Sequence, residues 1–91
     1  MQSYSLVIKQ IIKEQMAVIG PLALDQAKKV SGLKLEDINH IQLIGDGKLV
    51  VEALVNQYAK IFGRASIEVC RDAVREMKDT IASKELPEIL Q

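Results

Sequence analysis

His40 is the only imidazole in the chain and Cys70 the only thiol. A nucleophilic or proton-transfer site would have to be built around them. Acyl-transfer chemistry needs a Ser or Cys beside the imidazole and a carboxylate behind it. Cys70 stands 30 positions beyond His40, inside a run whose apolar spacing turns the thiol into a helix seam. Its neighbour Arg71 lies about 100° round that helix and does not activate it. A thiol buried without a cation is an inert hydrophobe. His40 therefore reads as a surface or capping residue.

Two carboxylate pairs deserve the same question. Glu36 and Asp37 are adjacent; Asp72 and Glu76 are spaced one helical turn apart. A catalytic or cation-binding dyad needs a desolvated cleft or further converging ligands. Arg71 and Arg75 interleave with the second pair, which predicts a solvated helix face. A di-metal carboxylate bundle would need Glu-x-x-His repeats, and the sequence has none. One cysteine excludes an internal disulfide, and one histidine excludes an all-histidine metal site. The segment Ile44-Gly45-Asp46-Gly47-Lys48 superficially suggests a phosphate loop. Such a loop needs Gly five positions before the Gly-Lys pair and Ser or Thr after it. Gln42 and Leu49 stand there, so the segment reads as a turn before a capped helix. The expectation is no enzyme, no cofactor and no metal.

Twelve Lys+Arg balance twelve Asp+Glu. Residues 1–45 carry five basic and four acidic side chains, and residues 46–91 seven and eight, so neither half is a polyelectrolyte. Lys9 with Lys13, and Arg71 with Arg75, lie a turn apart without forming a basic stripe, which argues against nucleic acid as the main partner. Tyr4, Tyr58 and Phe62 are the only aromatics, few for a ligand pocket or a base-stacking platform. No basic leader precedes an apolar core at the N-terminus, and no run of about 18 apolar residues spans a membrane. A cytoplasmic location is expected, consistent with a lone thiol.

The elements that must position these residues follow from the punctuation at Gly20-Pro21, Ser31-Gly32, Gly45-Asp46-Gly47, Gly63 and Pro87. Ninety-one residues make one domain. Ile8, Ile12, Met16 and Ile19 recur at helical spacing over 5–19, with Ser3 or Ser5 as cap. Gly20 ends that helix and Pro21 opens another over 21–30. Leu35, Ile38 and Ile41 predict a short helix near 35–43. The same stretch also reads as a β-hairpin near 38–52, with Ile41–Ile44 and Lys48–Val51 as strands round the Gly-Asp-Gly turn. Asp46 caps a helix over 47–62, and Gly63 stops it. Ser66 caps a last helix over 66–83, along which Ile67, Cys70, Val74, Met77 and Ile81 step by 3, 4, 3 and 4. Pro87 ends the helical pattern, leaving a short flexible tail from about residue 84. The expected fold class is all-α, a small bundle of four to five helices.

Gly20-Pro21-Leu22-Ala23, preceded by an amphipathic helix, resembles a small helical domain of cyanobacterial proteins. That domain carries a Gly-Pro-[Ile/Leu/Met]-Ala element and often ends longer signalling chains, serine/threonine kinases among them. The resemblance covers about Leu6–Met77 and implies an all-helical regulatory or interaction module without catalytic residues. The region Ile38–Val51 departs from it.

The expected function is a non-catalytic protein–protein interaction or regulatory module in signalling, working through helix–helix contacts. Two alternatives remain: a small nucleic-acid-binding regulator using the last helix, and a small-ligand sensor. The a/d stripe and zero net charge predict a homodimer with an interface of Ile67, Val74, Met77 and Ile81, flanked by Leu54 and Ile61.

Overall fold

The computed structural model describes residues 3–77 and 79–91. Helix α1 spans Ser3–Ile19 and α2 spans Leu22–Ala27. Strands β1, Leu33–Asp37, and β2, His40–Leu43, follow. Helix α3 spans Gly47–Phe62 and α4 spans Ala65–Arg75. Two three-residue 3₁₀ turns, Ser83–Glu85 and Glu88–Leu90, close the chain.

Side-chain contacts fix the arrangement of the helices. The Tyr4 ring at the start of α1 lies against Gly47 at the start of α3. Gln15, near the end of α1, reaches Ser66 and Cys70 early in α4. α1 and α3 thus begin at one end of the molecule, and α4 runs back along both. α2 descends beside α3, tied by Tyr58 to Ala23 and by Gln57 to Gln26. One core joins the layers: Val7, Ile8, Ile11 and Ile12 of α1 meet Val51, Leu54, Val55 and Tyr58 of α3, and Cys70, Ala73 and Val74 of α4.

Several expected boundaries hold for the expected reasons. The Asp46 carboxylate accepts from the Lys48 and Leu49 amides at 2.9 and 3.3 Å, the N-cap of α3. Gly63 takes φ +85° and donates its amide to the Ala59 carbonyl at 2.8 Å. Gly20 takes φ +72°, a conformation that a side chain would oppose, and its amide returns to Met16.

Three expectations are corrected. The chain is mostly helical but not all-α, because residues 33–43 form an antiparallel hairpin instead of a helix near 35–43. Leu33 pairs with Leu43, Lys34 with Gln42, and Leu35 with Ile41. The alternative hairpin at 38–52 is also displaced: Ile41–Leu43 is extended, but its partner lies upstream, and Leu49–Val51 belongs to α3. Apolar residues at 33, 35, 41 and 43 fit the period-2 alternation of a sheet with one face on the core. The core beneath, with Leu33 nearly buried and Leu35, Ile41 and Leu43 half-buried, supplies the support an isolated hairpin lacks. A register shift between Leu35 and Asp37 makes a bulge at the tip.

The third correction concerns α4, which ends at Arg75 rather than near 83. Ser66, the expected cap, lies inside this helix and is buried; Arg64 occupies the N-cap position without a side-chain hydrogen bond. The Thr80 and Ile81 amides both return to the Met77 carbonyl, and Ile81 is buried in the core. The last residues lie against α4, with Leu86, Pro87 and Leu90 buried.

Candidate functional site

The Gly-Pro-Leu-Ala element is a built joint. Ala23 and Leu24 donate their amides to the carbonyls of Gly20 and Pro21, so α2 begins directly after the positive-φ glycine. The Tyr58 hydroxyl donates to the Ala23 carbonyl at 2.6 Å. Both residues are fully buried. With Ala23 fully buried, a larger residue there would overpack the joint. Leu22, by contrast, is exposed.

A second polar lock joins α1 to α4. The buried Gln15 amide donates to the Ser66 carbonyl at 3.0 Å and to the Cys70 sulfur at 3.3 Å. Burial pushes the Cys70 thiol up to about 11 despite that hydrogen bond. This is an inert thiol at neutral pH. Desolvation likewise holds the Tyr58 hydroxyl well above its ordinary value, with the Cys70 charge a lesser contribution.

His40 belongs to a different place. It sits exposed on the hairpin, where its Nδ1 donates to the Asp37 carboxylate at 2.9 Å. Asp37 also accepts from the Asn39 amide at 2.8 Å, an Asx-type turn that closes the hairpin tip. The shared hydrogen bond raises the His40 pKa and lowers that of Asp37, and the Asn39 amide lowers Asp37 further. His40 and Cys70 thus have separate partners on separate elements. Of the paired carboxylates, Asp37 is taken by His40 and Asp72 by Arg75 at 2.7 Å; Glu36 and Glu76 are exposed. Among the described residues, no group of three His, Cys, Asp or Glu side chains is disposed to hold a metal ion.

The residues expected at an intermolecular seam divide three ways. Leu54, Val74 and Ile81 are buried in this chain's own core. Ile67 and Met77 are half-buried against it, and Ile61 is 48% exposed. The amphipathic stripe of α4 therefore serves internal packing on α1 and α3, and part of it is covered by the chain's last residues. The Arg71 guanidinium donates through Nε to the Ile89 carbonyl at 3.0 Å and through a terminal nitrogen to Glu68 at 3.0 Å. Beside this contact lies a pocket of about 390 Å³ lined by Val74, Ile81, Leu86 and Leu90 together with Arg71, Arg75, Ser83 and Gln91.

The exposed large apolar side chains include two named above for other roles, Leu22 of the Gly-Pro joint and Ile61 of the expected seam. Val18 (64%), Leu22 and Ile61 fall at the end where α1 finishes, α2 begins and α3 finishes. Leu6, Ile44 and Leu49 (62%) fall at the opposite end, around the starts of α1 and α3. Ile61, expected beside the seam, owes its exposure to which side of α3 faces the core. No helix among the described residues is long and apolar enough to cross a membrane.

Compared with known protein families, curated proteins and solved structures, the chain matches none.

Proposed function

We propose that the chain is a non-catalytic protein–protein interaction module that pairs with a second copy of itself through the end bearing the Gly-Pro joint. One observation carries this reading. The exposed large apolar side chains Leu6, Val18, Leu22, Ile44, Leu49 and Ile61 each lie near a helix terminus. Scattered apolar residues are ordinary, whereas grouped ones mark contact surfaces. Zero formal net charge leaves little long-range repulsion between copies. The joint end suits docking because Gly20 and the Tyr58–Ala23 hydrogen bond fix its backbone. A two-fold pairing is the commonest closed arrangement for a small protein. The expected interface thus moves from the α4 stripe to Val18, Leu22 and Ile61. The regulatory role implied by the cyanobacterial resemblance agrees with such a module. The arginines of α4 are engaged by Glu68 and Asp72, which gives the nucleic-acid alternative no support.

Light scattering on eluting protein tests the proposal. The wild type should rise from 10.1 kDa toward about one and a half times that mass as its concentration reaches about 1 mM, the range of a −4 kcal/mol association. The triple variant Val18→Lys, Leu22→Lys, Ile61→Lys should stay at 10.1 kDa with an unchanged circular dichroism spectrum. A wild type that remains monomeric throughout, or a variant that dimerises equally well, overturns the proposal.

A further inference from the structure

The two edges of the hairpin differ. Ile44 donates its amide to the Gly32 carbonyl at 2.8 Å, which makes 32 and 44 a hydrogen-bonded pair. An antiparallel ladder alternates, so Lys34 and Gln42 form the next such pair, and Leu33–Leu43 and Leu35–Ile41 exchange no bonds. The amides and carbonyls of Ile41 and Leu43 therefore point away from β1. Among the described residues, no hydrogen bond from outside the hairpin reaches them. The outer edge of β1 is obstructed. Leu33 gives its amide to the Val30 carbonyl at 3.2 Å, the bulge between Leu35 and Asp37 breaks the row, and Lys34 and Glu36 stand along it. Such features keep an edge from pairing. β2, His40–Leu43, has no lysine, no proline and no extra residue. Cations lie on its side of the hairpin, because α1 packs on β2 while α2 packs on β1. A cleft of about 440 Å³ between α1 and the hairpin tip is lined by Lys9, Lys13 and Met16 with Ile38 and Asn39. Neither lysine has an ion-pair partner among the described residues.

We propose that the outer edge of β2 takes up an extended, acidic peptide segment of another protein as a third strand. Running antiparallel to β2, the segment exchanges a pair of hydrogen bonds with Ile41 and another with Leu43. β2 runs away from the tip, so the antiparallel segment finishes beside the tip. Carboxylates at its C-terminal end then meet Lys9 and Lys13. Its earlier residues alternate, with apolar side chains on the face shared with Ile41 and Leu43. Backbone pairing supplies the affinity, and the two lysines set the charge that the partner carries. The edge shares no residue with the Val18, Leu22 and Ile61 surface proposed for self-pairing, so either reading can fail alone.

Two measurements test it. In the first, a fluorescent peptide Thr-Val-Thr-Val-Glu-Glu is titrated into the full chain. It should bind the wild type. The variant Lys9→Glu, Lys13→Glu, with its helical spectrum intact, should bind it at least about tenfold more weakly, as should the wild type when lysines replace the glutamates of the peptide. The second measurement uses the wild type alone and reads the edge itself. In the free protein, hydrogen exchange at the Ile41 and Leu43 amides should be at least about tenfold faster than at the ladder-bonded Gln42 amide, and saturating peptide should slow both at least about tenfold. Absence of binding, equal binding by the double-glutamate variant, or binding that leaves those two amides unprotected overturns the proposal. Protection of the same amides on raising the protein concentration without peptide would put a second copy on the edge and would overturn it too.

Discussion

Replacing Tyr58 with phenylalanine isolates one atom of the joint. The ring stays, fully buried between α2 and α3, while the hydroxyl that donates to Ala23 at 2.6 Å is lost. A neutral hydrogen bond contributes roughly 0.5–1.5 kcal/mol net, and the partner left buried adds a desolvation penalty. The Ala23 carbonyl, inside a helix, keeps part of its bonding, so the expected loss is about 1–2 kcal/mol. For a domain of this size that lowers the melting temperature by roughly 5–15 °C. With a urea slope near ~1 kcal/mol per molar, the midpoint falls by about 1 M or more.

The same substitution has an alkaline signature. Burial raises the Tyr58 pKa in the folded state. Below about pH 10 both states hold the proton and this group adds no pH dependence. Above it the unfolded chain ionises while the folded chain does not, so the unfolded state binds fewer protons and stability falls. The slope from one such group approaches ~1.4 kcal/mol per pH unit. Tyr58→Phe removes it, so the gap between wild type and variant should narrow above pH 10. Urea titrations at pH 7, 10 and 11 measure both effects. A variant within about 0.3 kcal/mol of wild type at pH 7, with parallel behaviour above pH 10, would refute the assigned role of the hydroxyl.

Cys70 should be protected from thiol reagents in the native protein and react rapidly in denaturant. With its pKa raised to about 11, it also destabilises the fold as pH rises from about 9 to 11, and Cys70→Ala should remove that loss. Gly47→Ala would drive a methyl group into the Tyr4 ring and should cost roughly 1–3 kcal/mol. In a Tyr4→Ala background, where the ring is gone and only the Cβ stays close, the cost should fall, and a double-mutant cycle by urea denaturation decides the matter. The His40–Asp37 pair supports the hairpin tip where both are charged. Its contribution fades as pH rises through the raised His40 pKa, and again as pH falls through the lowered Asp37 pKa. In an NMR titration, Asp37→Asn should return His40 toward the ordinary value near ~6.5; an unchanged midpoint would contradict the pairing.

Local chemistry was enough to locate the beginning and end of α3. The Asp46 cap, the Gly63 stop and the positive-φ Gly20 each act through their own neighbours, so residue type and position announce them. The buried Cys70 and exposed His40 were legible for a similar reason: each lies in a pattern spanning only a few residues. The hairpin was not, because Leu35, Ile38 and Ile41 satisfy a helical period while Leu33, Leu35, Ile41 and Leu43 satisfy a sheet. Only the core beneath residues 33–43 chooses between them, by burying Leu33 and half-burying the alternate residues. The stripe of α4 misled in the same way. Met77 and Ile81 continue a heptad spacing, yet the helix ends at Arg75. Ile81 gains its burial through a turn, since burial rewards the position of a side chain in space and not the backbone that delivers it. Gln15, a polar residue in an apolar helix, gave no sign of its partners, because Ser66 and Cys70 lie 51 and 55 residues away. Which apolar residues remain exposed depended equally on how the helices packed, for the outward side of α3 is defined only once α1, α2 and α4 have covered the other.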